Sequence, residues 1–153
     1  MLKVGDRVPT AVEFENHDGS RFTLETYRGH PVVLYFFPKA GTPGCTRETR
    51  SFAEEYPALA QRGVVVVGVS TDSRDRQHSF AAQCKASFPI VGDPERRIAR
   101  AFGVLGFLGM ARRVTFLIGP EGDVLEVVEG MRPGPHVEAA LRRLAPAASR
   151  PGP

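Results

Sequence analysis

A chain of 153 residues with 42% apolar and 24% charged side chains is long enough for one globular domain with its own core. Its net charge of +3 is spread over interspersed acids and bases, and no basic stripe with interleaved aromatics suggests a nucleic-acid partner. No apolar run nears the roughly 20 residues of a membrane span, and Met1–Arg7 lacks a hydrophobic signal region, so a cytoplasmic location is expected.

Residues 1–10 read as an extended lead-in ending near Pro9. A strand over Ala11–Glu15, the Asp18-Gly19 turn signal and Arg21–Leu24 predict an N-terminal hairpin. Val32–Phe37 is an apolar run typical of a buried strand. The helix after it is expected from about Thr42 to Arg62, stopped by Gly63, with Pro57 kinking or splitting it near Tyr56. Val64–Ser70 is β-branched almost throughout, as in a strand buried on both faces. Thr71-Asp72-Ser73 offers caps for a helix from about Arg74 to Lys85. Strand, helix, strand, helix implies crossovers and parallel pairing.

Phe88–Val91 is a short strand or turn, and Asp93 as N-cap with Pro94 at the first position predicts a helix to about Phe102. Gly103–Ala111 is loose, apolar and glycine-rich. Arg113–Ile118 and Val124–Glu129 flank the turn 119–123 as a hairpin. Pro135–Leu144 closes the domain (residues 1–145) as an amphipathic helix, and 146–153 reads as a disordered tail.

One stretch carries the chemistry. Pro38-Lys39-Ala40-Gly41-Thr42-Pro43-Gly44-Cys45 joins the buried strand to the long helix. Reactive groups of α/β folds sit at such strand-to-helix junctions. Thr42 suits an N-cap and Pro43 the first helical position, which puts Cys45 at the third. There the backbone amides lack partners in the helix, and the positive end of the helix favours a thiolate over a thiol. The plainer reading, a small buried hydrophobe, is the common fate of a free cysteine. Cys45 and Cys84 are the only cysteines and form no C-x-x-C, against a thioredoxin-type dithiol or a zinc ribbon. His17, His30, His78 and His136 lack metal-ligand spacing and are expected at the surface or in turns. No metal or other cofactor is expected.

Pro38, Thr42 and Cys45, after the aromatic strand Tyr35-Phe36-Phe37, resemble the active-site signature of the peroxiredoxins. Together with Thr46-Arg47-Glu48 they are most similar to the bacterioferritin-comigratory-protein (PrxQ) branch, over roughly residues 3–144. The resemblance implies a thioredoxin-like α/β fold, a central mixed sheet flanked by helices with an N-terminal hairpin extension. It implies a peroxidase acting on hydrogen peroxide and organic hydroperoxides through a cysteine sulfenic acid, with thioredoxin or another thiol as reductant, as a monomer or weak homodimer. Cys45 is then the peroxidatic nucleophile, Thr42 binds a peroxide oxygen and Pro38 shields the sulfur. The family's arginine before a Thr-Phe-Leu-Ile strand falls on Arg113; Arg112 is its neighbour, and alternation lets only one of the two face the site. Glu48, on the face of Cys45, either orients that arginine or is a surface glutamate. Tyr35 either points at the site or packs in the core.

Regeneration departs from the branch. A second cysteine five positions after the first is common there, and here that position is Arg50. Cys84 is the remaining candidate for a resolving cysteine. A bridge to Cys45 needs local unwinding, since the α-carbons must approach within about 7 Å. One-cysteine turnover, an interchain disulfide, and a Cys84 that merely packs against the sheet stay open. Glu95-Arg96-Arg97 and Arg142-Arg143 read as solvated faces. Phe107-Leu108-Gly109-Met110 reads as a collar for organic peroxides, a subunit contact, or local core packing. A non-enzymatic redox-sensing or chaperone-like thioredoxin-fold module and an anion-binding α/β domain are the competing functions.

Overall fold

Alternation along one strand sorts the molecule into two layers. In the computed structural model, which describes residues 1–145, β3 (Val32–Phe36) is buried along its whole length. Val33 and Tyr35 point to one face of the sheet, Val32, Leu34 and Phe36 to the other. The first face is covered by α1 (Pro43–Gln61), α2 (Arg74–Cys84) and α4 (Pro133–Leu144), through Phe52, Leu59, Phe80 and Val137. The second is covered by α3 (Arg97–Phe102) and the N-terminal segment, through Phe102, Ile98, Phe14 and Leu24.

The remaining strands are β1 (Phe14–Glu15), β2 (Arg21–Phe22), β4 (Val65–Ser70), β5 (Ile90–Gly92), β6 (Val114–Ile118) and β7 (Val124–Glu129). β1 and β2 form the expected hairpin, only two residues deep on each side. The main sheet runs β5-β4-β3-β6-β7. β3, β4 and β5 are parallel, joined by the crossover helices α1 and α2. β6 and β7 are antiparallel, so the sheet is mixed as expected.

Most expected boundaries hold within a residue or two; three local readings change. Pro57 does not split α1, which is one helix over Pro43–Gln61. Pro57 lies on the exposed side of the helix, away from the sheet. Gly63, at φ 73°, ends the helix as foreseen. The helix expected at Asp93-Pro94 begins only at Arg97, because Arg96 sits at φ 62° in the left-handed region. Asp93 still caps it from a distance, accepting from the amides of Ile98 (3.1 Å) and Ala99 (2.9 Å). The Phe107–Met110 stretch does not pack into the core: Phe107 is 83% and Leu108 75% exposed. The tail expected to be disordered, 146–153, lies outside the described residues. No helix among the described residues is long and apolar enough to cross a membrane.

Candidate active site

The junction between β3 and α1 is built from local rules. Pro38 follows the strand, and Thr42 is the N-cap of α1 with extended backbone (φ −76°, ψ 153°) and Pro43 behind it. Thr46 donates its amide to the Thr42 carbonyl at 2.9 Å. The Thr42 side chain does not cap: its hydroxyl donates to the Lys39 carbonyl at 2.7 Å. The amides of Gly44 and Cys45 therefore stay without a backbone acceptor among the described residues. Cys45 sits at the third helical position, 1% exposed.

Arg113, just ahead of β6, enters this pocket from the neighbouring strand. Its Nη2 donates to Cys45 Sγ at 3.3 Å, and its Nη1 donates to Glu48 Oε1. Arg112 turns outward and pairs with Glu129, so alternation separates the two arginines as predicted. Gly44 makes the approach feasible, since a Cβ there would stand 3.2 Å from Arg113 Nη2. The Nε of Arg113 has no partner among the described residues. Glu48 is not a surface residue: it is fully buried, and burial pushes its carboxyl up to about 7 against the pull of Arg113.

Behind Glu48 lies a polar pair that sequence reasoning missed. His136, expected at the surface or in a turn, is fully buried on α4. Its Nδ1 is 2.8 Å from the Thr115 hydroxyl and its Nε2 is 2.8 Å from the Gly130 carbonyl. Nδ1 also lies 3.9 Å from Glu48 Oε2. Burial pushes His136 down, so its ring is neutral. The signal was present: His136, Ala140 and Leu144 recur at helical spacing on one face. Of the other histidines, His30 and His78 are exposed, and His17 is half-buried, accepting the Ile90 amide at 3.2 Å.

Tyr35 packs in the core, stacked on Phe52 at 4.6 Å, and donates its hydroxyl to Thr49 at 3.0 Å. It thus braces α1 one turn past Cys45 rather than reaching the sulfur. Cys84 ends α2 with its Sγ 4.0 Å from the Thr46 carbonyl, against the first turn of α1. Both cysteines are free. Beside Arg113 opens a cavity of about 390 Å³ lined by Pro38, Phe107, Met110, Arg112 and Met131. The arrangement sets a buried cysteine sulfur in the first turn of a helix against a guanidinium, the surroundings that thiol chemistry calls for.

Such a sulfur, at this junction of a thioredoxin-like fold, defines a thiol-dependent peroxidase of the peroxiredoxin class. The model of the AhpC/TSA family matches residues 4–127, and the chain belongs to that family, in its Bcp/PrxQ branch. It is 35% identical over 133 residues to peroxiredoxin Bcp of Xanthomonas campestris, covering 82% of this chain and 83% of that one. A cysteine-to-serine mutant of PrxQ from Xylella fastidiosa superposes with a TM-score of 0.89 at 30% identity, covering 97% and 98% of the two chains. The bacterioferritin comigratory protein of Xanthomonas campestris, solved in trapped-intermediate and ligand complexes that bear on its alkyl peroxide reduction, superposes with a TM-score of 0.83 at 31% identity, covering 91% and 97%.

Proposed function

We propose that Cys45 is the sulfur that attacks peroxide, and that the chain reduces hydrogen peroxide and organic hydroperoxides. The carrying observation is the Arg113 guanidinium 3.3 Å from Cys45 Sγ in a buried pocket at the N-terminus of α1. A cation and a helix N-terminus both favour the ionised sulfur, the nucleophilic form. Attack forms the S–O bond and breaks the O–O bond, giving a sulfenic acid and an alcohol or water.

Charge moves from sulfur to the leaving oxygen, so donors around both lower the barrier. Among the described residues, the amides of Gly44 and Cys45 have no backbone acceptor and the Nε of Arg113 has no partner, so these donors are available. Thr42 spends its hydroxyl hydrogen on Lys39, which leaves its oxygen lone pairs to accept from the peroxide O–H. Pro38 on the cavity wall keeps bulk water from the sulfur. Phe107, Met110 and Met131 on the same wall give an alkyl hydroperoxide an apolar seat.

Cys84 resolves the sulfenic acid in this reading. It packs against the residue after Cys45, so unwinding the first turn of α1 and the last of α2 brings the two sulfurs together. Thioredoxin or another thiol then reduces the bridge. Two free thiols and dependence on a thiol pool fit a reducing compartment such as the cytoplasm. The apolar rim at Phe107 and Leu108 suits a monomer or a weak homodimer. Mass spectrometry of the intact, non-reduced chain after one equivalent of peroxide tests the scheme. Loss of two hydrogens from a single chain supports the internal bridge, whereas stable gain of one oxygen at Cys45 with Cys84 unmodified rejects the resolving role.

A further inference from the structure

Oxygen transfer to a thiolate leaves an alkoxide or hydroxide that needs a proton. The buried cluster around Glu48 is built to hold one. A single guanidinium, Arg113, touches two acids, Cys45 Sγ and Glu48 Oε1. All three side chains are buried, so one positive charge faces two groups that would each be negative when ionised. One buried cation compensates one anion, so one proton held between the two groups is the favoured count.

The surroundings choose the oxygen. Glu48 Oε2 has no donor among the described residues. Its polar neighbour is His136 Nδ1 at 3.9 Å. The Gly130 carbonyl can only accept, so His136 Nε2 carries the hydrogen, and Nδ1 of the neutral ring is a lone-pair nitrogen that takes the Thr115 hydroxyl. An ionised Oε2 would thus be a buried charge with no donor to it, whereas a protonated Oε2 leaves no charge uncompensated. The other groups around Glu48 are Cys45 on its own helix, Arg113 ahead of β6, and Tyr35 on β3, whose hydroxyl is committed to Thr49. Burial pushing Glu48 up to about 7 agrees with this arrangement.

We propose that Glu48, backed by His136 and Thr115, stores the proton of the thiol reaction: in the resting site the proton is on Glu48 Oε2 and the negative charge on Cys45 Sγ. Before reaction the site holds Cys45–S⁻, Glu48–COOH and ROOH. Afterwards it holds Cys45–SOH, Glu48–COO⁻ and ROH. The S–O bond forms, the O–O bond breaks, sulfur loses two electrons to the peroxide, and the proton that Glu48 gives up balances the one the alcohol takes. Oxidation removes the competing anion, so Arg113 is left to neutralise Glu48 alone. Glu48 and His136 act through Arg113 and the charge of the cluster, as positioning residues that do not touch peroxide.

The inference rests on Cys45 being the reacting sulfur, and one experiment separates the two. The full chain is mixed with one equivalent of hydrogen peroxide in weak buffer near neutral pH. The ultraviolet thiolate band and a pH indicator are followed together. The wild type loses its thiolate band with little net proton uptake, whereas Glu48→Gln loses the band and takes up one proton per sulfur oxidised. His136→Gln, whose side-chain amide brings a donor toward Oε2 and so favours the carboxylate, takes up more than the wild type. A full proton taken up by wild type and Glu48→Gln alike overturns the proposal, as does a wild type with neither thiolate band nor uptake. Should Glu48→Gln fail to fold, infrared difference spectra of the wild type decide: a carboxylic-acid C=O stretch must vanish on oxidation, and an unchanged stretch region overturns the proposal. A peroxide signal that survives in Cys45→Ser instead sinks the assignment of Cys45, and this inference with it.

Discussion

Cys45 and Cys84 are almost equally buried, at 1% and 3% exposure, and both line the same hydrophobic cluster. Their surroundings differ in sign. Cys45 lies in the first turn of α1, with the Arg113 guanidinium against its sulfur. Cys84 is the last residue of α2, at the end where a helix dipole disfavours an anion. It faces a carbonyl oxygen, and burial pushes its thiol up, with nearby Arg50 only partly opposing that. Burial alone therefore does not decide what a cysteine does; its place along a helix and the charge that meets it do.

With the sulfur itself kept, the largest effect should come from removing the cation. Arg113→Met is expected to slow peroxide reduction by about 10²- to 10³-fold in stopped-flow assays, as for loss of one transition-state donor. It should also lower stability in chemical denaturation, because the buried Glu48 carboxyl loses the guanidinium hydrogen bond it makes. Arg50→Met, beside the other thiol, should change the same rate less than about twofold. Comparable losses in both variants would erase the contrast. Next comes Thr42→Val, expected to cost roughly tenfold in rate, the worth of about one hydrogen bond, with little change in unfolding midpoint, since its side chain caps no helix amide.

The contrast sharpens with a labelling reagent. Iodoacetamide near neutral pH should modify Cys45 well before Cys84, and Cys84 should catch up only as pH rises toward its raised thiol range. Peptide mapping by mass reads this, and equal labelling at neutral pH would contradict it. The smallest effect concerns stability. Glu48 titrates near 7 in the folded chain against an ordinary 4.5. Between those values the folded state binds more protons than the unfolded state, so stability from this group falls as pH rises through the window. Glu48→Gln should flatten that slope in denaturant titrations.

How far the sequence carried depends on how local each feature is. β3, the start of α1 and the place of Cys45 within it follow from a run of about fifteen residues, and they were legible there. Arg113 was chosen over Arg112 on the resemblance to the family's strand pattern, with alternation letting only one of the pair face the site, and the structure turns Arg112 outward. Glu48 was read only as an open choice, because its burial depends on α4 and β6 closing over α1. His136 and Thr115 were missed for the same reason, since they meet only when α4 packs on the sheet. The start of α3 misled because Asp93-Pro94 has the composition of a helix start, while Arg96 in the left-handed region delays the helix itself. Thr42 was placed correctly at the N-cap, but which oxygen its hydroxyl would choose could not be read from residue type.

Rapid mixing of hydrogen peroxide with the wild type, Cys45→Ser and Cys84→Ser addresses the central claim most directly. The first oxidation should be fast in the wild type, unchanged within about twofold in Cys84→Ser, and absent in Cys45→Ser. Peroxide consumed by Cys45→Ser as fast as by the wild type would contradict the account.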